Sequence, residues 1–174
     1  RVCLYAGQRE NAFNYSTEVI KASNNGIFPF VDRSLVNGTA QDPDRIFSPE
    51  VLFALSDSQR GELFEEYFDP SLAPNMVFRM ETDLLEQTIY GGTGTGGNLD
   101  DYRCRSNWIS SGSARYFYKY SDMTESGRIE NTMIPLLRLG EMYLIAAESQ
   151  SNSLANGVSY INTLRKNRGV SNLQ

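Results

Sequence analysis

Between residues 10 and 22, ENAFNYSTEVIKA returns Ala12, Tyr15, Val19 and Ala22 to one side at helical spacing, and Asn24-Asn25-Gly26 supplies a stop. The spacing predicts a helix there. The preceding RVCLYAGQ reads as a shorter helical piece ended by Gly7, so the first 25 residues form a helix, a tight turn and a second helix. A second pair closes the chain. Pro135 suits the first turn of a helix, and LLRLGEMYLIAAES after it is apolar on almost every side, broken only by Arg138, Glu141 and Glu148. Such a helix belongs between neighbours. Beyond it, Ser153 is a cap for a helix whose stripe is Leu154, Val158, Ile161 and Leu164, and Arg165, Lys166 and Arg168 complement its C-terminal dipole before Gly169.

The two pairs share an aliphatic-Ala end to the first helix, a polar turn and an Ala-containing second helix, which resembles tetratricopeptide-type pairs. Repeats of that type follow one another every 34 residues or so, whereas these lie at about 1–25 and 133–169. A large insertion at about 28–132 separates them, with most of the aromatics and five of the six prolines. Within it, EVLFAL and ARYFYKY read as strands and SQRGELFEEYF as a short helix. The expectation is a single, mainly α domain: tetratricopeptide-like helix pairs that pack together, carrying a loop-rich, irregular insertion with short strands. Within the apolar helix, Arg138 and Glu141 are expected to pair at i, i+3, and Tyr143, Arg165 and Arg168 to pack and cap rather than bind.

Composition narrows the chemistry. The 174 residues are 40% hydrophobic and 21% charged, with net charge −5; an acidic chain whose only basic cluster is RKNR has no footprint for nucleic acid. Histidine is absent, which removes His-based metal sites, Ser-His-Asp triads and Cys-His dyads. Cys3 and Cys104 are too few for a zinc framework, and their spacing leaves open whether they pair; two buried free thiols are expected. Glu65-Glu66 and Asp100-Asp101 are neighbours in sequence and point apart, so neither makes an acid/base dyad. The reading is therefore a non-enzyme with no metal and no cofactor. No run of eighteen apolar residues is present. The opening RVCLYAG looks like entry into the middle of a helix, as in a fragment of a longer protein.

The segment GGTGTGG satisfies G-x-G-x-x-G with Gly92, Gly94 and Gly97. That pattern cradles a pyrophosphate only between a buried strand and a helix N-terminus. METDLLEQTIY before it has a helical rhythm, and NLDDYRCRSNW after it is polar without a 3.6-residue period, so no receiving helix is expected. Nucleotide binding is set aside in favour of a surface loop.

Five motifs carry a family resemblance. RIFSPEVLFAL, Asp101-Tyr102-Arg103, Lys119-Tyr120, PLLRLGEMYLIAAES and INTLRKNRGV stand in the order and spacing of the SusD/RagB family, and the fourth resembles its signature helix most closely. The resemblance implies a surface nutrient-binding protein held at the outer membrane of Bacteroidota by an N-terminal lipid anchor outside this fragment. There it would capture glycan for a SusC-like TonB-dependent transporter. Some relatives take peptides instead, and a purely structural helical adaptor is the reading of a different class. Cys3 is not the lipid-bearing cysteine.

Within this frame the glycine-rich loop has a use, because flexible segments laid on a rigid scaffold admit or cover ligands. Around it stand Tyr90, Asn98, Tyr102, Arg103, Asn107 and the only tryptophan, Trp108. A pyranose has an apolar C–H face for a flat aromatic and a rim of hydroxyls for amide and guanidinium groups. These six are the candidate glycan ligands, with burial of Trp108 in the core of the insertion as the competing possibility.

Overall fold

The computed structural model describes residues 1–36, 42–82, 84–90, 100–111, 114–150 and 153–173, the side chains of residues 86 and 87 excepted. The chain forms two compact units, one made of Arg1–Val31, Pro49–Phe53 and Pro135–Gln174, the other of Asp32–Ser48 and Ala54–Ile134.

The first unit is helical. Helix α1 (Val2–Tyr5) ends at Gly7, whose φ of 74° suits glycine, and leads into α2 (Arg9–Asn24), itself ended by Gly26 at φ 85°. Near the other end of the chain, α6 (Leu139–Ser149) is followed by α7 (Leu154–Lys166), which stops before Gly169 at φ 74°. Helix α6 packs against both α2 and α7, so the first and last pairs meet as expected. Ile20, Leu139, Tyr143 and Ala146 form the buried centre, with Phe13, Phe30, Met142, Tyr160 and Leu164 around it. The rings interlock: Phe30 lies 5.2 Å from Tyr143, and Phe13 meets Tyr160 edge-on at 6.0 Å.

Three details of the expected helices change. The buried face of α2 is Ala12, Ser16, Ile20 and Ser23, while Tyr15 is 61% exposed. Ser16 tolerates burial because its hydroxyl donates to the Phe13 carbonyl at 2.9 Å, so a small polar residue enters the interface with its hydrogen bond already made. Pro135 does not open a helix: Met133–Arg138 is strand β5, and α6 begins only at Leu139. Arg138 closes strand β5 and stands at the N-cap of α6 rather than within the helix, and Glu141 in the first turn of α6 pairs with Arg1. Ser153 occupies the N-cap of α7 but makes no side-chain cap bond, and Leu154 is exposed.

Helices α6 and α7 close on each other at Gly157, where an added Cβ would stand 3.0 Å from the Ala147 carbonyl oxygen. Since that neighbour is backbone, Gly157→Val is expected to cost about 2 kcal/mol through overpacking, read as a lower denaturant midpoint. A midpoint equal to the parent's would show that the helices yield.

The second unit carries α3 (Arg33–Val36), α4 (Arg60–Tyr67), a π-helical turn at Leu84–Ile89, and α5 (Tyr102–Asn107). Its sheet has the order β2 (Arg79–Met80), β4 (Ala114–Phe117), β3 (Trp108–Ser111), antiparallel throughout. Strand β1 (Val51–Ser56) pairs with β5 in a separate two-stranded sheet, and the boundary between the units falls within both strands. Helix α4 and strands β1 and β4 stand where the sequence placed a helix and two strands. No helix among the described residues is long and apolar enough to cross a membrane.

Candidate functional site

Trp108 is positioned by a helix cap followed at once by a strand. The buried carboxylate of Asp101 accepts from the Arg103 backbone N–H at 2.8 Å and caps α5. The same carboxylate takes the Arg103 guanidinium through Nε at 3.0 Å and Nη2 at 2.6 Å. The six-residue helix ends at Trp108, whose φ of −126° and ψ of 120° begin β3 without an intervening turn. On β3, Trp108 stands opposite Phe117 of β4, with ring centroids 5.0 Å apart. A capped helix and a cross-strand aromatic pair thus fix the indole from two sides.

The helix α5 corrects the expectation that none follows the glycines. Its N-terminus is nonetheless unsuited to a phosphate, because the Asp101 carboxylate already occupies it and would repel a second anion. The glycines themselves, Gly91 to Gly97, lie outside the described residues, as does Asn98.

Around Trp108 and Phe117 opens a pocket of about 420 Å³, lined also by Phe68, Phe78, Arg79, Met80, Glu81 and Leu84. Phe68 meets Phe117 at 5.6 Å and Phe78 at 6.2 Å, so the aromatic wall is continuous. Phe78 is 64% exposed and Leu84 46%, which leaves apolar surface facing solvent at the mouth. The charged groups on the lining are Arg79 and Glu81. An aromatic wall with few polar groups on its rim is the usual make-up of a small-molecule site.

The six sequence candidates fare differently. Tyr90 stands close enough to Trp108 and to Arg103 for both to act on its hydroxyl. Burial, acting first, holds the Tyr90 hydroxyl above its ordinary pKa, so it stays protonated as a donor through neutral pH. Tyr90, Arg103 and Trp108 therefore form one group, although they span the glycine segment in sequence. Tyr102 opens α5 and is half-buried, outside the pocket lining. Asn107 is buried, its side-chain oxygen accepting from the Ser106 hydroxyl at 3.2 Å and its backbone carbonyl from the Tyr118 N–H at 2.8 Å. Phe68, Phe78 and Phe117 were not singled out from the sequence. The signal for them was the aromatic density of FEEYF, VFRM and ARYFYKY, which composition registers but periodicity does not resolve.

Cys3, half-buried, and Cys104, buried, are not joined in a disulfide. Among the described residues no three His, Cys, Asp or Glu side chains stand close enough to hold a metal ion.

No protein-family model and no curated protein matches the sequence significantly. Solved structures do match in fold. One is a SusD-like carbohydrate-binding protein from Bacteroides vulgatus, aligned over 100% of this chain and 36% of its own, with TM-score 0.58 and 19% identity. Another is a proposed sugar-binding protein of the same organism, aligned over 97% of this chain and 37% of its own, with TM-score 0.62 and 22% identity. The chain spans little more than a third of either. With these alignments and its α6-centred helix pairs, the chain has the SusD-like fold.

Proposed function

We propose that this chain belongs to a surface nutrient-binding protein that captures glycan for import by a SusC-like TonB-dependent transporter at the outer membrane, held there by a lipid anchor. Its role is binding, not catalysis. The observation that carries the reading is the aromatic pocket of Trp108, Phe117, Phe68 and Phe78 on a SusD-like fold. Flat rings suit the C–H faces of a pyranose, while Arg79, Glu81 and the neighbouring Tyr90–Arg103 group suit its hydroxyl rim. A volume of about 420 Å³ suits a few sugar rings rather than a folded partner.

A ligand that binds only the native state raises apparent stability by mass action. The full-length protein is therefore expected to melt higher with soluble neutral oligosaccharides, by about 1–2 °C at tenfold excess over Kd and more at higher excess, and to be unmoved by peptides of similar length. Protection by peptides alone would replace glycan with peptide as the cargo. Protection by neither would favour a structural adaptor.

A further inference from the structure

In the second unit, two arginines converge on the turn Tyr118–Asp122, whose Tyr120 ring meets Phe117 of the pocket at 6.2 Å. The guanidinium of Arg45 lies over the Tyr118 ring, 5.8 Å from its centroid. Arg60, at the start of α4 and only 2% exposed, directs Nη2 to the Ser121 carbonyl at 3.4 Å and to Asp122 Oδ1 at 3.2 Å. Ser121 closes the turn by donating its N–H and hydroxyl to the Tyr118 carbonyl, at 3.0 and 2.9 Å. Both cations therefore sit on one small feature.

Three of their buried nitrogens have no hydrogen-bond partner among the described residues: Nε of Arg60, and Nε and Nη1 of Arg45. A guanidinium only donates, and leaving its N–H groups unpaired in the interior is costly. The nearby carboxylates act on the two guanidinium groups but make no hydrogen bond to these three nitrogens among the described residues. Asp122 serves Nη2 of Arg60 and packs against α4 so closely that a Cβ at Gly61 would stand 2.8 Å from its other oxygen. Oδ2 of Asp42 accepts the backbone N–H and hydroxyl of Thr124, at 3.0 and 3.1 Å. Asp69 acts on Tyr118.

We propose that Arg45 and Arg60 together hold a small inorganic anion of the halide class beside the Tyr118–Asp122 turn. A water molecule would have to direct its own hydrogens somewhere, whereas an anion accepts from every donor that converges on it. Burial pushes the Arg45 guanidinium down and Arg60 adds to that push, while Asp42 and Tyr118 act against it; a bound anion would oppose the first two. Arg45 itself is only partly buried, which gives a small ion a path in from solvent.

The probe is bromide, which scatters anomalously. Crystals of the full-length protein grown in bromide are expected to show an anomalous peak within hydrogen-bonding reach of Arg45 Nε or Nη1 and Arg60 Nε. In solution the melting temperature should be about 3 °C higher in bromide than in gluconate at equal ionic strength. Arg45→Gln should abolish that difference, and if this variant does not fold, the parent's two-salt comparison decides alone. Equal melting temperatures with no peak overturn the proposal. A peak without a difference in melting marks an adventitious ion only, and overturns it as well.

Discussion

Replacing Arg168 with alanine is expected to lower the stability of the chain by about 3–5 kcal/mol, a drop in Tm on the order of 10 °C. Arg168 follows α7, is 8% exposed, and grips Glu50, which is fully buried. The grip is two-pronged: Nη1 donates to Glu50 Oε1 at 2.8 Å while Nη2 donates to Oε2. Oε1 also accepts the Val31 N–H at 3.1 Å, and the guanidinium lies 5.7 Å from the Phe30 ring centroid. Three segments distant in sequence, around residues 30, 50 and 168, are thus joined at one carboxylate. Truncating the arginine leaves that carboxylate charged and buried, which costs more than the pair contributes. Replacing both partners at once, as Glu50→Gln with Arg168→Met, should cost much less than the single truncation. An equilibrium urea transition for Arg168→Ala within 1 kcal/mol of the parent would contradict this role.

The second large effect is on binding. Trp108→Ala is expected to weaken oligosaccharide affinity about tenfold or more, a loss above about 1–2 kcal/mol, because truncating an aromatic anchor in a pocket typically costs that much. Its effect on folding should be smaller than that of a core tryptophan, about 3–5 kcal/mol, since Trp108 is only partly buried and rests mainly on Phe117. Trp108→Phe keeps a flat ring and should recover part of the affinity. Calorimetry and a denaturant midpoint on the same sample separate the two losses. A folded Trp108→Ala protein with the parent's affinity would remove this residue from the site.

Much of the helical unit was legible because it follows 3.6-residue spacing and glycine stops. Its errors are physical. Ser16 and Ser23 counted as polar outside positions, yet they are buried where helices approach closely, and the Ser16 hydroxyl bonds within its own helix. This moved the buried face of α2 by one residue and put Tyr15 in solvent. The apolar run at residues 133–139 fits a strand as well as a helix, since periodicity does not separate the two over so short a stretch. Pro135 is tolerated in β5 because a two-stranded sheet leaves N–H positions that no partner needs. In the second unit α4 and β4 were legible as a helix and a strand, but the site was legible in composition only. Its pocket is assembled from Phe68, Phe78, Trp108 and Phe117, whose proximity depends on strand register and on the end of α4. Tyr90 and Trp108 were readable as neighbours of the glycine segment, but Asn107, equally close in sequence, turns inward.

Trp108 is the only tryptophan of this chain, and in the longer protein the emission lost on Trp108→Phe isolates the signal of the pocket. The full-length protein would be titrated with the oligosaccharide that protects it best against heat, at constant ionic strength, while that emission is followed. Glycan capture at this pocket predicts a saturable change in intensity or wavelength, with a midpoint equal to the calorimetric Kd. Calorimetric binding with Trp108 emission unchanged through saturation would contradict it.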